Sequence, residues 1–279
     1  MRTIYPAALV VGLALTACTA TVMPPASAVM VPATSIETVQ AAGRNVDIHV
    51  TRPARIRGVM LFGHGGGSEP SQYAALAAAF AQDGWLVLAP LHLDSRAHPN
   101  RVAYQDPKGF VARIADLEAA ARLAQRLAPG KPLVAVGHSY GSLLAELRGG
   151  ALAGMGPPPA VPVRAVLAFS SAGRLPGLID ANSYRGLVVP TMVVTGDADV
   201  VPGFVADWHQ HLAAYEDSPA GDKYALVVAG GTHDGSVDVA GPAFATARDF
   251  LAAYGLGDAA ARKRLGRATS TAAVELRRR

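Results

Sequence analysis

The stretch Leu133-Val134-Ala135-Val136-Gly137-His138-Ser139-Tyr140-Gly141-Ser142-Leu143-Leu144 decides how the chain folds. The apolar run that begins at Lys131 and Pro132 reads as a buried strand, and Ser142 to Arg148 reads as a helix. Between them stands Ser139, with Gly137 and Gly141 on either side. A strand that turns sharply into a helix brings backbone close to both flanks of the apex, so glycine is favoured where a Cβ would obstruct the turn. The turn lifts the serine hydroxyl above the sheet edge, near the free N–H groups and the positive end of the helix dipole. A hydroxyl held there is placed to act as a nucleophile.

Outward from this apex the chain alternates between two periods. Gly58 to Phe62, Trp85 to Ala89, Ala165 to Phe169, Thr191 to Thr195 and Tyr224 to Val228 are short, continuous apolar runs, as expected of parallel strands covered on both faces. Tyr73 to Phe80, Pro107 to Leu127, Phe204 to Tyr215 and Ala240 to Tyr254 read as helices between or after them. The longest carries Phe110, Ile114, Leu117, Ala121 and Ala124 on one stripe, and Arg113 and Asp116 are expected to pair on its surface. Upstream, Val46, Ile48 and Val50 alternate with Asp47 and His49, the pattern of a half-buried strand. Strands alternating with helices imply an α/β fold.

A G-x-S-x-G between a strand and a helix has the context of a nucleophile elbow. On these residues the chain resembles the α/β-hydrolase family over roughly residues 45–255. The resemblance implies a mostly parallel, doubly wound sheet flanked by helices. No large cap domain is expected, because only about twenty residues separate the strand at 165–169 from that at 191–195, where many members insert a lid. In this family the loop Gly63-His64-Gly65-Gly66-Gly67 lies beside the nucleophile and supplies one backbone N–H of an oxyanion hole, here assigned to Gly66 with Gly67 as the alternative. Tyr140, the residue after the serine, would supply the second, and His64 would hold the loop by hydrogen bonds. The triad acid is expected on the turn Gly196-Asp197-Ala198-Asp199, which points to Asp199, with Asp197 as a competitor that would otherwise brace the turn. The base is expected at His233, in the glycine-rich loop past the last strand.

The order Ser139, Asp199, His233 therefore implies a serine hydrolase of carboxylic esters that works through an acyl-serine and needs neither metal nor other cofactor. An acyltransferase or amidase would use the same triad, and a binding lipoprotein on a hydrolase scaffold is the alternative from another class. The glycine loop, the small size and the missing lid look most like dienelactone-hydrolase-like and platelet-activating-factor-acetylhydrolase-like esterases. Serine rather than cysteine at 139 departs from true dienelactone hydrolases.

Two other histidine groups carry less. Residues 90–107 have no period and read as a polar surface loop forming one wall of a substrate cleft, with His92, Asp94 and His98 belonging to that loop rather than to a metal site. His209 and His211 stand two apart on the expected helix, so they point to different sides and read as surface residues.

The 279 residues, 51% of them apolar, can bury one substantial core. Arg2, the apolar run Ile4 to Ala17 and then Cys18, the single cysteine, fit a signal peptide, and Leu15-Thr16-Ala17-Cys18 resembles the bacterial lipobox. That implies cleavage before Cys18, a lipid anchor on its sulfur and export to the cell envelope. An ordinary signal cut near Ala26-Ser27-Ala28 would give a secreted enzyme instead. The chain thus divides into a signal peptide over 1–17, the lipidated cysteine and a flexible spacer over 18–36, a hydrolase domain over 37–256 and a basic tail over 257–279. The net charge of +4 comes from that tail, which is expected outside the fold, so the charge implies no nucleic-acid partner. The partners implied are a small-molecule or lipid ester and, through Cys18, a membrane. Oligomeric state is not legible.

Overall fold

The protein is described from a computed structural model, in which residues 32–103, 106–155, 159–175 and 179–279 are described. The expected signal peptide and Cys18 lie outside these residues. Within them no helix is long and apolar enough to cross a membrane.

A single nine-stranded sheet runs through the described chain. β1 (Ala33–Ala41) and β2 (Arg44–Arg52) form an antiparallel hairpin whose two turn residues, Ala42 and Gly43, both have positive φ (48° and 77°), the conformation that matches strand twist in a two-residue turn. β3 (Gly58–Gly63), β4 (Trp85–Pro90), β5 (Leu133–His138), β6 (Val166–Phe169), β7 (Thr191–Gly196) and β8 (Lys223–Val228) are parallel to one another, and β9 (Val274–Arg278) closes the far edge antiparallel to β8. The order across the sheet is β1-β2-β4-β3-β5-β6-β7-β8-β9.

Alternate side chains of each parallel strand feed two cores. Val59 and Leu61 pack with one set of helices and Met60 and Phe62 with the other. Of the helices α1 (Ala74–Gln82), α2 (Pro107–Leu127), α3 (Tyr140–Arg148), α4 (Ala213–Glu216), α5 (Phe244–Phe250) and α6 (Ala259–Arg267), the second to fourth cover the first face and the others the second. α2 starts where the sequence places it, because Asp106 caps it by accepting a bond from the Lys108 N–H (2.9 Å) and Pro107 occupies the first turn. Between β6 and β7 the described residues hold neither helix nor strand, so no lid domain stands there.

Three expectations change. The basic tail is part of the fold: α6 is capped by Asp258 and β9 pairs with β8 from Tyr224↔Arg278 to Val228↔Val274. Its charges masked the strand pattern, since Val274 turns inward while Glu275 and the arginines dress a sheet edge against further pairing. At the other end β1 begins at Ala33, inside the expected spacer. Finally, the helix expected over 204–215 is broken into a bridge between Val201 and Val205, a 3₁₀ turn over Trp208–Leu212 and the short α4. Asp207 caps that turn through the His209 N–H (3.0 Å) and starts it late.

Candidate active site

The carboxyl ends of β3, β5, β6, β7 and β8 carry the residues of interest. Ser139 joins β5 to α3 with φ 53° and ψ −120°, a backbone conformation that typically costs a non-glycine residue about 1–3 kcal/mol. Its surroundings hold it there. The Ser139 N–H donates to Phe169 O at the end of β6 (2.9 Å), and the Ser139 carbonyl accepts from both the N–H (2.9 Å) and the hydroxyl (2.5 Å) of Ser142. A Cβ on Gly137 would come within 2.0 Å of Gly141 O, and one on Gly141 within 2.0 Å of Gly63 O. Both glycines are therefore required by close backbone approach, which pins the elbow against β3.

The loop after β3 turns through Gly65-Gly66-Gly67-Ser68, closed by the Ser68 N–H on Gly65 O (3.2 Å), with Gly67 at φ 68°. Its N–H groups are unevenly occupied. Gly65 N–H donates to Tyr73 Oη (3.1 Å) and Gly67 N–H to Asp94 Oδ2 (3.0 Å), so Gly67, the alternative oxyanion donor, is already committed. Gly66 N–H has no partner among the described residues.

Beneath this loop lies a buried charged network. Arg113, fully buried on α2, grips Asp94 with two bonds (Nε to Oδ1 2.7 Å, Nη2 to Oδ2 2.8 Å) and donates to the carbonyls of His64 (2.7 Å) and Gly65 (3.0 Å). Its guanidinium also lies 4.5 Å from the ring centroid of Tyr140. Burial alone would raise the Asp94 carboxyl, but Arg113 outweighs it and holds Asp94 down at about 2. His64 accepts the His92 N–H at Nε2 (3.1 Å) and places Nδ1 2.8 Å from Gly65 O, the loop-holding role expected of it. The expected surface pair Arg113–Asp116 does not form. Asp116 is buried as well and meets Arg44 and His92 (Nδ1 to Oδ2 2.9 Å), and its carboxyl is pushed up to about 7, chiefly by burial. His92 and Asp94 are thus interior groups with these partners, not members of a free surface loop.

His138 bridges the two sides of the site. Its Nε2 lies 3.1 Å from His233 O, which can only accept, so Nε2 carries the proton and Nδ1 accepts from Tyr73 Oη (2.8 Å). One imidazole, kept neutral by burial and by its neighbour His233, links the glycine loop to the loop after β8, and its pKa falls to about 4. The motif in the sequence marks this position only as variable.

Asp199 follows β7 and is fully buried. Its Oδ1 receives His233 Nδ1 at 2.8 Å and its Oδ2 the hydroxyls of Ser170 (2.5 Å) and Thr195 (2.7 Å). His211 Nε2 lies 2.9 Å from the same Oδ1. Burial raises this carboxyl, but His211 and His233 against it and the Ser170 hydroxyl outweigh burial and hold the group far below the usual carboxylate range. Asp197, the competitor, is exposed and accepts the Gly230 N–H (2.6 Å), bracing the turn. His211 is not a surface residue: it is buried, and sequence reading missed it because the helix that would have turned it outward is absent. Ser139 Oγ makes no hydrogen bond to His233 here, although both loops touch the end of β6, through Phe169 O and through Ser170 Oγ to His233 O (3.2 Å). Such a bond commonly tightens when substrate binds.

Asp199, His211 and His233 are the one group among the described residues whose donor atoms converge within 4.8 Å. Both imidazoles are turned onto one carboxylate oxygen, which is an ion-pairing arrangement rather than a shell around a vacant centre.

The family model described as serine aminopeptidase, S33, matches residues 54–155, less than half of the chain. Among curated proteins none matches the sequence. Solved structures do. An esterase of Pyrococcus furiosus is 14% identical with a TM-score of 0.63, covering 80% of this chain and 94% of its own. Esterase 2 of Thermogutta terrifontis, phosphorylated by paraoxon, is 17% identical with a TM-score of 0.57, covering 81% and 96%. An alpha-beta serine hydrolase homologue from Coxiella burnetii is 16% identical with a TM-score of 0.55, covering 73% and 91%. Strand order, the elbow at Ser139 and these likenesses agree on one architecture: the chain has the α/β-hydrolase fold.

Proposed function

We propose that the protein is a serine hydrolase that cleaves carboxylic esters through an acyl-serine intermediate. The observation that carries the reading is the 2.8 Å bond from His233 Nδ1 to the buried Asp199, on loops that flank the strained elbow of Ser139. The bond to an ionised carboxylate keeps the proton on Nδ1 and leaves Nε2 as the base. Ser139 Oγ attacks the ester carbonyl as His233 takes its proton, and the Gly66 and Tyr140 N–H groups receive the charge that develops on the carbonyl oxygen. His233 then protonates the leaving alcohol, and water, activated by the same base, releases the acid and restores Ser139. The open interval between β6 and β7 favours a site that tolerates varied acyl groups.

The test is hydrolysis of p-nitrophenyl esters from acetate to palmitate by the purified protein and by Ser139→Ala, together with labelling by paraoxon, the organophosphate that phosphorylates the Thermogutta esterase. Activity and labelling in the parent that both vanish in Ser139→Ala support the reading. A parent that neither turns over nor labels overturns it. The match to the serine aminopeptidase model favours a second reading, amide hydrolysis with the same residues, which aminoacyl p-nitroanilides would reveal. Export with a lipid anchor on Cys18 is part of the proposal, and loss of palmitate incorporation in Cys18→Ser tests it.

A further inference from the structure

The turn over Trp208–Leu212 sends its two histidines in opposite directions. His209 is exposed and pairs with Asp207 (2.7 Å). His211 is 1% exposed and wedged behind the triad acid. Its Nδ1 lies 2.5 Å from the Ser171 carbonyl, and its Nε2 lies 2.9 Å from Asp199 Oδ1. A carbonyl only accepts, so Nδ1 carries a proton. An ionised carboxylate only accepts too, and a neutral imidazole has one proton to give. With Nδ1 protonated, a neutral ring would turn the Nε2 lone pair on a carboxylate oxygen, inside the protein and without water. The N–H axis at Nε2 is not aligned on Oδ1, so the two atoms meet at ion-pairing distance rather than in a hydrogen bond.

The other groups around the ring leave no alternative partner. Glu146 of α3 accepts the Ser171 hydroxyl (2.6 Å), and burial pushes its carboxyl up to about 8, so it is protonated at neutral pH. Ser170 and Thr195 present neutral hydroxyls, and His233 lies across Asp199 with its ring centroid 5.8 Å away. Among the described residues Asp199 is therefore the anion that His211 faces. Burial works against a charge on His211, but the Asp199 carboxylate beside it outweighs burial and raises the pKa above the ordinary histidine value.

We infer that His211 is a standing imidazolium, a positioning residue that shares the Asp199 carboxylate with His233 and opposes protonation of His233, extending activity to lower pH. The inference deepens the triad reading and rests on it. A second positive charge on the same carboxylate partly cancels the field that would otherwise hold a proton on His233.

Two experiments on the full-length protein decide it. In the parent, ¹⁵N shifts of the imidazoles are followed from about pH 5.5 to 8, with His211 assigned by its loss in His211→Gln. Both His211 nitrogens are expected to stay protonated throughout; an Nε2 that is unprotonated or titrates within the range overturns the inference. The pH profile of kcat/KM on p-nitrophenyl acetate is then compared for the parent, His211→Gln, which keeps a donor without charge, and His211→Phe. Both variants are expected to move the acid limb up by about one pH unit. A limb that stays in place or moves down overturns it. Inactivity of the parent with no paraoxon labelling sinks the triad reading instead, and the ¹⁵N titration still decides the charge on His211.

Discussion

Two buried polar networks support the site, and they are built from different chemistry. Under the glycine loop the central group is Arg113, a planar guanidinium locked by two bonds to Asp94 and tied directly to two loop carbonyls. Around Asp199 the groups are all ionisable: Asp199 itself, His211, Glu146 and the buried Tyr184, whose hydroxyl burial drives well above its ordinary value. The first network holds backbone N–H groups in place, a task in which a change of charge would only do harm. The second surrounds His233, the base of the proposed reaction. Rigidity is assigned to the guanidinium, and proton affinity to the groups that can be tuned.

Breaking the second network at its centre gives the largest effect. Asp199→Asn leaves the packing but no longer fixes the His233 tautomer, and kcat on p-nitrophenyl acetate is expected to fall about 10⁴-fold. Asp197→Asn, which touches only the Gly230 N–H, serves as its control and stays within a few-fold of the parent. Equal losses in the two would dismiss Asp199 as the acid.

Breaking the first network costs stability before it costs chemistry. Arg113→Met strands the buried Asp94 carboxylate and frees the His64 and Gly65 carbonyls, a loss of about 3–5 kcal/mol in urea unfolding. Adding Asp94→Leu is expected to restore much of that stability while kcat remains low, because the Gly67 N–H has lost its acceptor and the loop its anchor. Full recovery of kcat in the double variant would show that the network does not position the loop.

A third effect separates the networks by pH. Glu146 is shifted from 4.5 to about 8 in the folded protein, chiefly by burial, so folding takes up a proton there. Its contribution to stability is complete below about pH 4.5 and is lost as pH rises toward 8, an effect on the order of a few kcal/mol. Glu146→Gln should flatten that slope in unfolding measurements. Asp94 has the opposite sign: held down at about 2 by Arg113, it stabilises above its ordinary value of 3.8 and its contribution fades only as pH falls through 2. A slope that Glu146→Gln leaves intact would place the titrating carboxyl elsewhere, with Asp116, raised to about 7, as the next to substitute.

Legibility in the sequence followed the range of the interactions concerned. Period and glycine placement are local, so the apolar runs of the six parallel strands, the start of α2 at Pro107 and the elbow geometry around Ser139 could be read from neighbouring residues. The family resemblance pointed to Asp199 over Asp197 on the turn after β7, and chain order with position past the last strand pointed to His233. The misreadings have one cause. Arg113, Asp116, His92 and His211 are polar residues in stretches whose pattern says surface, and each is buried because a residue distant in sequence meets it: Arg113 finds Asp94 and two carbonyls, Asp116 finds Arg44, and His211 finds Asp199 and Ser171 O. The tail went the same way, since Val274 and Leu276 become a strand only when β8 offers an open edge.

By itself, then, the sequence determined the strand and helix alternation and the serine at a glycine-flanked turn, because each depends on backbone sterics and solvent preference over a few residues, while the candidate acid and base came from the family resemblance. The tertiary structure decided which polar groups are buried, which protons they keep and how the charges are paired. Those depend on through-space contacts in a low-dielectric interior, where Arg113 holds the Asp94 carboxyl at about 2 and burial pushes that of Glu146 up to about 8.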